Sequence, residues 1–254
     1  MTLKLSNIGF GYVASRAAIA QIVLITVAGA FSASADQVKM EPGFGPYIAG
    51  GGGEFTVLPD VALAGALGGL SQYSPLTKNY VQQGTFQTFC VERNEYITDN
   101  TTYDTTFNTI TVFSGVPLSV GTAYLYQQFA LGTLASYNYT DSPAGSRVGA
   151  THGSAFELQR AMWFYMGEYS YDPYNIYMNG VVAVPGNVPG VSGSPAFAAD
   201  NGAHGVAVLN LWVPGQPHDP AHAYQDILVI VPEPGTLALA TFGAAALLAC
   251  RRRK

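Results

Sequence analysis

Cysteine is nearly absent from this chain of 254 residues, which has only Cys90 and Cys250. Two cysteines so placed exclude the disulfide framework on which small secreted domains rely. Basic charge is almost as scarce in the middle of the chain. Lys4 and Arg16 precede residue 36, and Arg251, Arg252, Arg253 and Lys254 close the sequence. Between them stand five basic residues (Lys39, Lys78, Arg93, Arg147 and Arg160) against fifteen acidic ones, a net charge near −10. No basic face can be assembled from so few cations, so nucleic acid and anionic membrane surfaces are excluded as partners of this part.

The usual cofactor signatures are missing as well. Gly50, Gly51, Gly52 and Gly53 are not followed by the Gly-Lys-Ser/Thr ending of a phosphate-binding loop, so they read as a turn or flexible lead. Asp99, Asp104 and Asp172 lack the spacing of a calcium-binding helix–loop–helix. His218, Asp219 and His222 have the i, i+4 histidine spacing of a zinc site, but Pro217 and Pro220 break the helix it requires, leaving a solvated loop. No recognisable nucleophile sequence surrounds Cys90, so a Cys90–His152 hydrolase is a weak reading. No cofactor and no turnover enzyme are expected.

Both ends of the chain read as addresses. Lys4 and Arg16 precede an apolar run over residues 17–31, and Ala33, Ser34 and Ala35 supply a small-residue cleavage pattern. Residues 1–35 are thus a secretory signal peptide with a helical apolar segment, and the mature chain starts at Asp36. At the other end, Pro232-Glu233-Pro234 precedes an apolar stretch from Leu237 to Ala249 and then the basic cluster Arg251, Arg252, Arg253 and Lys254. The prolines keep the tag extended. The apolar stretch falls short of the roughly 20 residues of a comfortable bilayer span. The basic stop faces the cytoplasm, placing the rest of the chain outside.

This order of tag, short span and basic stop resembles the PEP-CTERM sorting signal of Gram-negative bacteria that make extracellular polysaccharide. The resemblance covers residues 232–254. It implies export across the inner membrane, a transient anchor through a C-terminal hydrophobic helix, and processing by an exosortase-type membrane protease that reads Pro232, Glu233 and Pro234.

The intervening residues 36–231 suffice for one domain with a sizeable core. Strand patterns occur at 55–58, 85–97, 101–113 (one strand, or a pair with a turn near Asn108), 181–184, 205–213 and 224–231. In 85–97, alternation puts Phe86, Thr88, Cys90 and Glu92 on one face and Phe89 and Val91 on the other. Residues 61–70 are a short helix or a packed loop. Helical spacing runs through 117–134, starting near Gly121-Thr122, and through 154–167. Ser154 and Glu157 have capping-box spacing. Apolar residues surround nearly the whole second helix, which must therefore be buried. The expected fold is α+β, a mainly antiparallel, barrel-like sheet packed with two helices. Abundant Tyr, Thr, Asn and Gly suit a secreted β-rich protein and also carbohydrate contact.

Gln159 lies inside the buried helix, one turn before Trp163, and an unsatisfied buried amide costs about 1–3 kcal/mol. One arrangement removes the problem: the Cys90 thiol attacks the Gln159 amide, expels ammonia and leaves an internal thioester sheltered by Phe89, Trp163 and Phe164. The sequences Phe89-Cys90-Val91-Glu92 and Leu158-Gln159-Arg160-Ala161-Met162-Trp163 resemble the Cys-Gln thioester domains of bacterial surface adhesins. Ala123-Tyr124-Leu125-Tyr126 is similar to that family's intervening helix. The resemblance implies a surface domain that captures a nucleophile on another surface covalently, in adhesion or biofilm formation. The competing expectations are a structural matrix protein that binds polysaccharide without covalent chemistry, and a secreted hydrolase.

Overall fold

A computed structural model describes residues 36–41, 52, 54–75, 84–139, 153–181 and 184–232. The chain divides into two compact units, 1–34 and 35–254, and every described residue belongs to the second. The signal helix, the tail helix, His152, Glu233, Pro234 and the basic cluster lie outside the described residues, as do residues 182 and 183 of the strand expected at 181–184; Val181 and Val184 are not in a strand.

Among the described residues six strands form one antiparallel sheet: β1 Gln37–Met40, β2 Phe55–Pro59, β3 Phe86–Thr88, β4 Thr102–Asn108, β5 Val206–Trp212 and β6 Ile227–Ile230. Their order is β3-β2-β1-β4-β5-β6. The short strand β1 does not stand out in the hydrophobic pattern, yet it is central. Val38 lies opposite Pro59 on one side and Tyr103 on the other.

The two edges of this sheet, β3 and β6, meet and nearly close it. Thr88 Oγ1 donates to the Leu228 carbonyl, Leu228 N donates to Phe89 O at 3.3 Å, and Val91 N donates to Asp226 O at 2.9 Å. Cys90 pairs with Ile227 as an isolated antiparallel bridge. An edge left open would expose a row of unpaired amides; here a threonine hydroxyl and three irregular residues complete the seam.

The expected strand over 85–97 therefore stops at Thr88. Its alternation does not separate an inner from an outer face, because Phe86, Thr88, Phe89, Cys90, Val91 and Glu92 are all buried. Past Asn108, residues 109–118 form a separate hairpin held by an Ile110–Pro117 bridge.

Among the described residues four helices accompany the sheet rather than two: α1 Val61–Ala66, α2 Val120–Ala130, α3 Ser154–Tyr165 and α4 Ile176–Gly180. Asp60 caps α1 by accepting from Leu63 N at 2.7 Å. Ser119 caps α2, so that helix begins at Val120 and not with the Gly121-Thr122 pair. The capping box does not form on α3, whose cap is Gly153. Ser154 is already helical, and its hydroxyl accepts from Asn138 N instead. As its composition demands, α3 is buried almost all round. Gly121 lets α2 approach it closely, since a Cβ there would fall 2.6 Å from the Tyr165 ring. Asn175 caps α4 while its Nδ2 donates to Glu157 O at 2.8 Å, tying α4 to α3. Phe89 and Phe129 meet edge to face at 4.9 Å in the core between helices and sheet.

Candidate functional site

The seam between β3 and β6 brings Cys90 to α3. In the bridge to Ile227 the hydrogen bonds belong to the residues flanking Cys90, so its own N–H and C=O point away from β6. Gln159 fills the gap. Cys90 N donates to Gln159 Oε1 at 3.1 Å, and Gln159 Nε2 donates to Cys90 O at 2.9 Å. The side-chain amide thus pairs with residue 90 as a neighbouring strand would. Both residues are buried, at 1% exposure for Cys90 and 0% for Gln159. Sequence reading pairs these two residues through chemistry alone; the tertiary structure places them in contact through the main chain of one and the side chain of the other.

A residue packed on this pair that the sequence does not reveal is Gly52. It belongs to a stretch that reads as a flexible lead, but it is a buried bridge residue whose Cα faces α3. A Cβ on it would lie 2.5 Å from Gln159 Cγ, 3.1 Å from Gln159 Cδ and 2.8 Å from Trp163 Cη2. Contacts that short are forbidden, so only glycine lets the backbone press Gln159 onto Cys90. The run of four glycines is the available signal, although flexibility and close approach look alike in a sequence. Gly52→Ala is expected to push Gln159 off Cys90 and to destabilise the fold by about 1–3 kcal/mol, as overpacking does. Thermal unfolding measures the loss, and alkylation of Cys90 in the folded state should become faster.

Above this pair lies a half-open cleft of about 190 Å³ whose lining includes Gly52, Phe55, Cys90, Tyr96, Asp99 and Gln225. Glu95 also lines it, and burial together with nearby Glu92 pushes its carboxyl up. Tyr96 is 75% exposed at the rim. Arg93 and Arg160 are engaged elsewhere, both over the Tyr169 ring, at 5.2 and 4.9 Å. The cleft mouth is thus acidic and aromatic.

The other sequence candidates are not assembled into sites. Asp219 caps a short turn at Pro220–His222 and lies 2.8 Å from His222 Nδ1, while the His218 ring faces Trp212. Among the described residues no group of three His, Cys, Asp or Glu side chains is arranged to hold a metal. No helix among them is long and apolar enough to cross a membrane, and residues 237–249 lie outside them.

The root of the sorting tag is held by the body. Val231 N donates to Gly205 O at 2.8 Å, and Gln72 Nε2 donates to Ile230 O at 3.1 Å. Pro232 packs on Gly68, where a Cβ would come within 2.6 Å of the proline ring. Gly68 has φ +75°, a conformation that glycine adopts without strain.

No curated protein and no solved structure matches the chain. Residues 231–254 do match the PEP-CTERM protein-sorting motif, which supports an exosortase substrate that is exported and transiently anchored in the membrane.

Proposed function

We propose that this exported, exosortase-sorted protein acts at the cell surface or in the exopolysaccharide matrix by closing an internal thioester between Cys90 and Gln159. The observation that carries the reading is the grip of the Gln159 amide on the main chain of Cys90, inside the core and beneath a cleft. The Gln159 amide already lies against the main chain of the residue that carries the thiol. In the forward step Sγ bonds to Cδ of Gln159 and the Cδ–Nε2 bond breaks. The thiol proton leaves with the nitrogen as ammonia. The Cys90 N–H, already on Oε1, stabilises the oxyanion of the intermediate. In the second step an amine or hydroxyl entering by the cleft bonds to Cδ and the thiol is released. The pair is buried, with Trp163 packed beside it over Gly52, which limits the access of water to the bond.

The test is the intact mass of the exported full-length chain, expressed in a host without the sorting protease and solubilised in mild detergent. A mass one ammonia below that of the signal-cleaved chain, rising by one methylamine on treatment, is the expected result. Full mass with an alkylatable Cys90 would falsify the thioester.

One observation favours a second reading, a non-covalent matrix protein that binds polysaccharide. The two hydrogen bonds to Cys90 already satisfy both polar atoms of Gln159, which explains its burial without any reaction. Under this reading Cys90→Ala leaves polysaccharide binding unchanged; under the first it abolishes covalent capture.

A further inference from the structure

Where the chain leaves the body toward the sorting tag, it runs through an open groove of about 490 Å³. The lining includes Ala66, Phe107, Asn108, Ala207, Val231 and Pro232, and no charged residue lines it among the described residues. Charge is missing from the flanking sequence as well. No Asp, Glu, Lys, Arg or His stands between Asp60 and Lys78, between Asp104 and Asp141, or between His204 and His218. Yet the surface there is open: Phe107 is 40% exposed and Val61 91%. Val61, Ala62, Gly65 and Ala66 make an exposed stripe along α1, where a surface helix ordinarily carries polar side chains. Contiguous exposed apolar surface marks contact with a partner.

We propose that this groove and the outer stripe of α1 are a docking surface for the exosortase-type sorting protease, a role that rests on the sorting reading of residues 231–254. Pro232 belongs to both surfaces: it begins the Pro-Glu-Pro tag, and it forms part of the groove wall, packed on Gly68. The hydrogen bonds from Val231 N to Gly205 O and from Gln72 Nε2 to Ile230 O fix its approach. A protease that holds Pro232, Glu233 and Pro234 therefore meets the groove rim. Leu237, where the apolar run begins, is five residues beyond Pro232, and five residues reach at most about 17 Å. So short a tether turns this face of the body toward an enzyme embedded in the membrane. Anionic lipid headgroups would repel the acidic body, whereas an apolar collar around the protease's active site matches an uncharged rim.

The test follows removal of the tail from the full-length chain in its native host. Ala66→Lys places a cation in the last turn of α1, where the helix accepts it, and Phe107→Lys places one on the exposed wall. Each is expected to slow processing about tenfold or more, with Tm unchanged, because docking would bury an unpaired charge. Tyr174→Lys, at a position 86% exposed and outside the groove, should be processed at the wild-type rate. Benzoylphenylalanine in place of Phe107 should photo-cross-link the chain to an inactivated protease. Wild-type rates for both Ala66→Lys and Phe107→Lys, or cross-links to lipid alone, overturn the docking surface while leaving the sorting reading intact. A wild-type chain that keeps its tail overturns both.

Discussion

Cys90→Ala is expected to unfold at the same urea concentration as methylamine-treated wild type, both about 4 kcal/mol less stable than the untreated protein. The thioester would join residues 69 positions apart. A cross-link closing a loop of that size removes about 4 kcal/mol of chain entropy from the unfolded state, by the same reasoning as for a disulfide. Methylamine opens the link and the alanine variant never makes it, so the two should coincide. Gln159→Ala should fall lower still, by about a further 2–3 kcal/mol. Both hydrogen bonds of Gln159 end on the main chain of residue 90, so they survive in Cys90→Ala but not in Gln159→Ala. The latter leaves a buried N–H, a buried C=O and a cavity. Should Cys90→Ala lie within about 1–2 kcal/mol of untreated wild type, the covalent bond is absent and only the packing of a thiol has been lost.

Alkaline pH is expected to destabilise the protein through Glu54. This carboxyl is buried beside Tyr137, whose hydroxyl donates to it at 3.1 Å. Desolvation outweighs that hydrogen bond and pushes its pKa from 4.5 up to about 8. The phenols of Tyr126, Tyr137 and Tyr139, which interact with it, are likewise held above their ordinary value by burial. A carboxyl raised in the folded state binds its proton more tightly there than in the unfolded chain. The stability it contributes is complete below about pH 4.5 and is lost as pH rises through about 8. Every tenfold gain in proton affinity on folding is worth about 1.4 kcal/mol, so the loss is several kcal/mol in order of magnitude. Glu54→Gln keeps an acceptor for Tyr137 and cannot ionise. It should match wild type at pH 5 and exceed it at pH 9 in urea midpoint. Parallel pH profiles for the two proteins would show that Glu54 is not the group responsible.

How much of this could be read beforehand depended on the range of the interaction. The caps show it on a small scale. Asp60 and Ser119 do cap helices as their residue types allow, but Ser154 does not, because Asn138 N takes its hydroxyl and Gly153 holds the cap position. In β1, the alternation of Gln37, Val38, Lys39 and Met40 matches its alternation of half-buried and buried positions, yet four residues are too few to stand out. At residues 86–92 a two-residue period fails because both sides of the chain are covered, by helices and by the closing seam.

What the sequence determined by itself is local. The apolar circumference of α3, the presence of one cysteine in the body, and the order of tag, apolar run and basic stop at residues 231–254 depend only on neighbours along the chain. What the tertiary structure alone decided is every contact between distant residues. It closed β3 onto β6 and turned the main chain of Cys90 toward Gln159. It pressed Gly52 against that amide and brought Glu92 and Asn210 to the buried Asp226 carboxyl. Periodicity and capping arise from backbone geometry over a few residues, whereas the pairing of polar groups in a core depends on which segments the collapse brings together.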